Sequence, residues 1–334
     1  MPLLTVSNLQ KRFNLEAGFF ARFGRFVNAV NGISFSIGAN EAYGLVGESG
    51  CGKTTTARLL VRMYEADSGT ILYYKDNPQE SLEVGKLRNE ELRQYRRKVK
   101  YVFQDPARSL NPRMSVYDVL VSGLRWGGIP DGKQGRGAQR EKRLREEAAA
   151  ALEEVGLSPD DLERRPAEFS GGQRQRISIA RGLLMQPELL ICDEVVSALD
   201  VSIQGQILNL LLDIREKRAM SFLFIAHDLK VACYFCDRIG VMYQGELMEE
   251  APAAGLYREG RHPYTKLLFS SVMGAKTATS PAPEPEKTAP VTVSDAPHPC
   301  AFAGRCPQAV DRCFTEKPVM REIAPGHLIR CHSL

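Results

Sequence analysis

Several residues in this chain have the types and spacing to bind and split a phosphate chain. Gly47-Glu48-Ser49-Gly50-Cys51-Gly52-Lys53-Thr54 has the form G-x-x-x-x-G-K-[ST], a loop whose backbone N–H groups cradle phosphate oxygens. Lys53 would reach the β- and γ-phosphates and the Thr54 hydroxyl would hold Mg²⁺, with Thr55 beside it among the nucleotide contacts. Asp193-Glu194 closes the apolar run Leu189-Leu190-Ile191-Cys192. Asp193 is placed to hold Mg²⁺ through water, and Glu194 to polarise the water that attacks the γ-phosphate. Gln104 follows Val99-Lys100-Tyr101-Val102-Phe103, where its amide can reach Mg²⁺ or that water. Ser170-Gly171-Gly172-Gln173 offers a second anion site, because a capped helix start with two glycines exposes backbone N–H groups. His227 ends the run Phe222-Leu223-Phe224-Ile225-Ala226. A lone His in such a place is more often structural, but its company here makes it a γ-phosphate contact.

These residues require strands that end on one edge of a sheet. The runs 43–46, 99–103, 189–193 and 222–226 are short and apolar, as buried strands are. Residues 3–8, 33–37 and 71–74 also predict strands, the first two with one buried face. Helices are predicted from Thr55 to Met63, over 139–155 and from Ser170 onward. Strand ends of an alternating strand–helix chain gather where ligands bind. Phe13, near the first strand, is a candidate to stack on a nucleotide base, with core packing as the alternative. The basic aromatic segment Phe19-Phe20-Ala21-Arg22-Phe23-Gly24-Arg25-Phe26 is expected to form a hairpin packed on its own domain, or else an exposed contact loop.

The 334 residues allow one large domain with an appendage, or two domains. The net charge of +4 does not suggest a nucleic-acid partner. No apolar run is long enough to span a bilayer, and the N-terminus lacks the pattern of a signal peptide, so a cytosolic location is expected. In that compartment the 8 cysteines point to thiols or metal ligands rather than disulfides. Residues 274–299 are rich in Pro and small residues, as a linker without a core would be. Beyond it Cys300, Cys306, Cys313 and Cys331 stand in the pattern C-x5-C-x6-C-x17-C. With little apolar material around them, a metal centre is the natural staple. Four thiolates suit structural zinc, but the close C-x₂₋₄-C pairs are missing, and the wider spacing suits a [4Fe–4S] cluster. Zinc is the second reading and free thiols the third. Cys51, Cys192, Cys233 and Cys236 are not expected to take part.

Taken in order, the phosphate loop, Gln104, Ser170-Gly171-Gly172-Gln173, Asp193-Glu194, Ser197-Ala198-Leu199-Asp200 and His227 resemble the ATP-binding subunit of an ABC transporter over about residues 3–272. Phe103-Gln104-Asp105-Pro106, Ser109-Leu110-Asn111-Pro112-Arg113, Arg261-His262-Pro263-Tyr264-Thr265 and Cys300-Ala301-Phe302-Ala303-Gly304-Arg305-Cys306 narrow the resemblance to the oligopeptide/dipeptide/nickel importer ATPases. The resemblance implies an α/β fold: a RecA-like core with an antiparallel β subdomain and a helical subdomain at about 105–180, in a cassette of residues 1–273. A Cys-rich extension would occupy 300–334. It implies that two cassettes close head-to-tail on two ATPs, each phosphate loop facing the partner's Ser170-type signature, with Asp200 also among the ATP-binding residues. It also implies a second ATPase subunit, commonly a different chain, two transmembrane permease subunits and, indirectly, an extracytoplasmic substrate-binding protein. The place would be the cytoplasmic face of the inner membrane. The cargo stays open between peptides, nickel and other small solutes. A cytosolic ABC ATPase without a transport role is the rival, and a nucleotide binder that does not hydrolyse is a second. The chain departs from the family at Val195, where Pro is usual. Loss of that Pro removes no phosphate ligand and is expected to spare hydrolysis.

Overall fold

The computed structural model describes residues 1–14, 26–74, 80–127, 138–273 and 299–334. The segment around Phe19 and the linker fall outside the described residues. Two sheets carry the molecule. The first is antiparallel and holds β1 (Pro2–Asn14), β2 (Phe26–Gly38), β4 (Ser68–Tyr74) and β5 (Ser81–Glu83), in the order β2-β1-β4-β5. The phosphate loop joins β3 (Ala42–Val46) to α1 (Lys53–Leu60), and α2 (Asn89–Lys98) leads into β6 (Val99–Val102). A helical lobe follows, with α3 (Pro106–Ser109), α4 (Val116–Gly127), α5 (Ala138–Glu154) and α6 (Gly171–Leu183). The chain then runs through β7 (Leu189–Asp193), α7 (Val201–Arg218), β8 (Ser221–Ala226), α8 (Leu229–Phe235), β9 (Arg238–Tyr243) and β10 (Glu246–Pro252). It ends in α9 (Ala253–Glu259), α10 (Pro263–Met273), α11 (Arg312–Thr315), β11 (Arg321–Ala324) and β12 (His327–Ile329).

The second sheet has the order β11-β12-β10-β9-β3-β8-β7-β6. Strands β9, β3, β8, β7 and β6 are parallel to one another. Their apolar runs follow from burial on both faces. Tyr43, Leu45, Leu189, Ile191, Leu223 and Ile225 pack toward α1 and the antiparallel sheet. The alternate residues Ala42, Val46, Leu190, Cys192, Phe222 and Phe224 pack toward the helical lobe. Side chains alternate across a strand, so one continuous apolar run supplies both cores.

Helix α1 stops at Leu60 rather than reaching Met63, because Arg62 takes a positive φ of 55° and turns the chain. The larger difference lies in the tail. Strand β12 pairs antiparallel with β10, placing Ile329 opposite Glu249, and so adds to the edge of the core sheet. Phe302 is 1% exposed and belongs to the cassette's main core. The tail therefore does not lack apolar material: it borrows the cassette's core, a possibility that composition read over a short window does not reveal.

Candidate nucleotide-binding and hydrolysis site

The parallel strands deliver the expected residues to one edge. Strand β3 ends at Val46 before Gly47, β6 at Val102 before Gln104, β7 at Asp193 and β8 at Ala226 before His227. The loop itself needs its glycines. A Cβ on Gly47 would stand 2.1 Å from the Met242 carbonyl oxygen, and one on Gly52 would stand 2.0 Å from that of Ala29. Gly52 also has φ +108°, a conformation only glycine adopts without strain. No side chain caps α1 and its first turn carries no acid, so its orphan N–H groups and dipole face an incoming anion.

Lys53 is 4% exposed. Its Nζ donates to the carbonyls of Gly47 at 2.7 Å and Glu48 at 2.9 Å, and lies 3.8 Å from the Cys51 sulfur. The ammonium thus shapes the loop from inside, while Ser49 and Gly50 stand exposed at its tip. Burial pushes the Cys51 thiol up, which leaves it a packing residue rather than a nucleophile. Thr55 sits half-buried in the first turn of α1.

Thr54 Oγ1 donates to Asp193 Oδ1 at 3.0 Å, so the two expected Mg²⁺ holders already touch. Asp193 is 2% exposed, and its second oxygen accepts from the Tyr101 hydroxyl. Burial and the Asp193 charge push the Tyr101 phenol well up, keeping it a donor. Sequence reasoning missed Tyr101. It is the penultimate residue of a strand parallel to β7, and a tyrosine there reads equally well as packing.

Glu194 takes φ 48°, a region uncommon for a residue with a side chain. The turn is held by the Glu194 N–H donating to Ile225 O at 3.1 Å, and by Ser197 Oγ donating to Glu194 O at 2.9 Å. Gln104 Nε2 donates to Glu194 Oε2 at 2.7 Å. The two catalytic candidates are therefore one unit, with the carboxylate aimed by the amide. Val195 and Val196 are buried, so the position where the family has Pro is filled by packing. His227 stands exposed at its strand end, with Asp228 after it capping α8.

The signature is a helix cap. Ser170 Oγ accepts from the Gln173 N–H at 3.3 Å, and Gln173 Oε1 accepts from the Ser170 N–H at 2.9 Å, a capping box. Gly172 is crowded, since a Cβ would meet Ile203 Cγ2 at 2.7 Å. Asp200 begins α7 exposed, with no capping bond from its side chain. Phe13 meets Tyr64 edge-on, with ring centroids 5.3 Å apart at 75°, so at least one ring edge is committed to packing.

Two residues from the C-terminal part reach the phosphate loop. The Glu48 N–H donates to the Tyr264 hydroxyl at 3.0 Å. Arg305 forks the Glu48 carboxylate with two bonds of 2.8 Å. The four tail cysteines are near enough to influence one another, since Cys306, Cys313 and Cys331 all act on the Cys300 thiol. Burial pushes the Cys300 and Cys306 thiols up, and the neighbouring thiols Cys313 and Cys331 add to the rise. Backbone hydrogen bonding from Phe302 and Gln308 opposes that rise. Among the described residues, no three His, Cys, Asp or Glu side chains are drawn together as ligands of a single metal ion.

A model of the ABC transporter family matches residues 30–197. The chain belongs to that family. The match takes in the phosphate loop, Gln104, the signature and the acid pair. A model described as "Oligopeptide/dipeptide transporter, C-terminal region" matches 248–313 of this ABC ATPase. A putative peptide import ATP-binding protein of Brucella ovis is 41% identical over 99% of this chain and 97% of its own. The putative oligopeptide transport ATP-binding protein YkfD of Bacillus subtilis is 40% identical over 99% and 95%. Among solved structures, CbiO1 of Clostridium perfringens, part of an ABC transporter complex, has a TM-score of 0.62 at 25% identity, over 78% of this chain and 92% of that one. A dimeric ATP-binding cassette in a post-hydrolysis state with ADP and phosphate has a TM-score of 0.61 at 26% identity, over 75% and 98%. This ABC ATPase binds and hydrolyses ATP. Among its described residues, no helix is long and apolar enough to cross a membrane.

Proposed function

We propose that this ABC ATPase powers the import of peptides through a membrane permease. The C-terminal match over 248–313 carries this reading, together with relatives named for peptide import that align along nearly the whole chain. MgATP is the substrate. In this reading Lys53 meets the β- and γ-phosphates, and Thr54 and Asp193, which touch here, would hold its magnesium. Glu194, aimed by Gln104, takes the proton of the attacking water, and His227 contacts the γ-phosphate. The water-derived proton passes to the carboxylate as the terminal P–O bond breaks, leaving ADP and phosphate. Ser170 and its glycines, which open α6, would serve the phosphate loop of a second cassette, in line with the dimeric relative. Two permease subunits would seat a short helix on the segment Gln104–Arg113, with the cassette at the cytoplasmic face.

We read the four tail cysteines as ligands of an iron–sulfur centre. The donor set is all sulfur, and Cys306, Cys313 and Cys331 all act on the Cys300 thiol. A [4Fe–4S] cluster bound there would supply a cross-link between the tail's turns. Anaerobic purification should give iron and sulfide with broad absorption near ~400 nm; colourless protein with stoichiometric zinc would overturn the cluster. For transport, the complex is reconstituted in vesicles with its substrate-binding protein. ATP hydrolysis should rise when peptide is supplied. Stimulation by nickel alone, with none by peptide, would refute the cargo class.

A further inference from the structure

The bonds between the tail and the phosphate loop exceed what a passive appendage needs. Glu48 is the one acid within the loop Gly47–Thr54. A carboxylate there repels a nucleotide's phosphates. Its charge is met by Arg305, from the loop between Cys300 and Cys306, through two 2.8 Å bonds. The guanidinium is itself held, resting 5.6 Å from the Tyr243 ring and 5.8 Å from that of Phe302. Tyr243 ends β9 and Phe302 is buried against both Tyr243 and Tyr264. A fork held by two rings loses less freedom on pairing than an unsupported surface arginine. The backbone of the same residue is fixed as well, since the Glu48 N–H is occupied by Tyr264. Both ends of Glu48 are thus governed by residues that follow β10.

We propose that Arg305 is a positioning residue of the nucleotide site: it neutralises Glu48 and draws its carboxylate away from the phosphate cradle, so the tail sets the affinity for the triphosphate. This rests on the reading of Gly47–Thr54 as the phosphate site. Without Arg305 an uncompensated charge stands beside the phosphates, and the penalty grows with phosphate charge. At the polarity of a half-exposed site, the loss for MgATP is on the order of tenfold, and smaller for ADP.

The test measures equilibrium binding of MgATP, ADP and AMP to the full-length chain, for the native protein, Arg305→Ala, Glu48→Gln and the double variant. Hydrogen exchange of β12 is followed in each, to report whether the tail stays attached. Arg305→Ala should weaken MgATP about tenfold and AMP hardly at all. Glu48→Gln should bind MgATP at least as tightly as the native chain, because the Arg305 cation is then unopposed, and the double variant should recover most of the loss seen in Arg305→Ala. An unchanged Kd in Arg305→Ala would overturn the proposal. So would equal losses for all three nucleotides, or a double variant as weak as Arg305→Ala, since a purely structural tie gives those patterns. Failure of the native chain to bind MgATP would instead refute the phosphate site itself.

Discussion

Replacing Phe302 with Ala tests how the tail is held. The ring is 1% exposed and lies 5.3 Å from the rings of both Tyr243 and Tyr264, and 6.0 Å from His262. Truncating a buried phenylalanine costs about 3–5 kcal/mol, from lost transfer energy and the cavity left behind. The tail's other ties include β12 on β10, the pairs Arg305–Glu48, Lys317–Glu246 and His327–Glu249, and Arg330 with Glu246 and the Leu247 carbonyl. Of the parallel strands only the end of β9, at Tyr243, borders this cavity, so the cost falls on local opening rather than on the whole cassette. At about 1.4 kcal/mol per factor of ten, the amides of β12 should exchange roughly 10²–10³ times faster. Those of β3 and β8 should keep their native rates. The assay is hydrogen exchange resolved by peptide, with and without MgATP. Native exchange in β12 would refute the claim that Phe302 anchors the tail. Equal acceleration of β3 would refute its local character.

Glu194→Gln should keep MgATP binding and the bond from Gln104, while steady-state hydrolysis in the assembled transporter falls by about 10²–10⁴; near-normal turnover would remove Glu194 from the role of base. Tyr101→Phe deprives the buried Asp193 of a donor and should lower stability by about 1–3 kcal/mol in urea unfolding, with the deficit shrinking when MgATP is added. Burial depresses the His262 pKa from 6.5 to about 4, against the opposing pull of Glu249. A depressed folded value means the unfolded chain takes up the proton first, so stability present above pH ~6.5 is lost as pH falls toward ~4. That contribution is at most about 3 kcal/mol, and the pH slope of stability in this window should flatten in His262→Asn. An unchanged slope would show that other groups carry it.

What the sequence disclosed depended on range. The phosphate loop, the acid pair after β7 and the capping box of α6 are written in consecutive residues, and their backbone chemistry is local. The apolar runs of β3, β7 and β8 announced buried strands because both faces are covered. Residues 89–98 and 238–252 carried no such plain pattern, and their elements went unassigned. Strand β10 has Glu246, Glu249 and Glu250 in its interior, each buried only because distant cations and hydroxyls meet it. Arg305 and Glu48 lie 257 positions apart, and no periodicity links them. Tyr101 and the left-handed turn at Glu194 belong to the same class: their roles exist only once neighbouring strands are side by side.

The way β12 lies along β10 bears on how this protein can be cut. Without β12 and β11, β10 would become the rim of the large sheet, with a row of backbone donors and acceptors facing water. Such a rim recruits strands from other molecules. Glu246 would lose Lys317 and Arg330, and Glu249 would lose His327, leaving acids at an apolar edge with no cation. A cassette shortened at the linker is therefore a self-associating fragment rather than a minimal ATPase. Comparisons between this protein and cassettes that lack a tail must begin from a different sheet boundary.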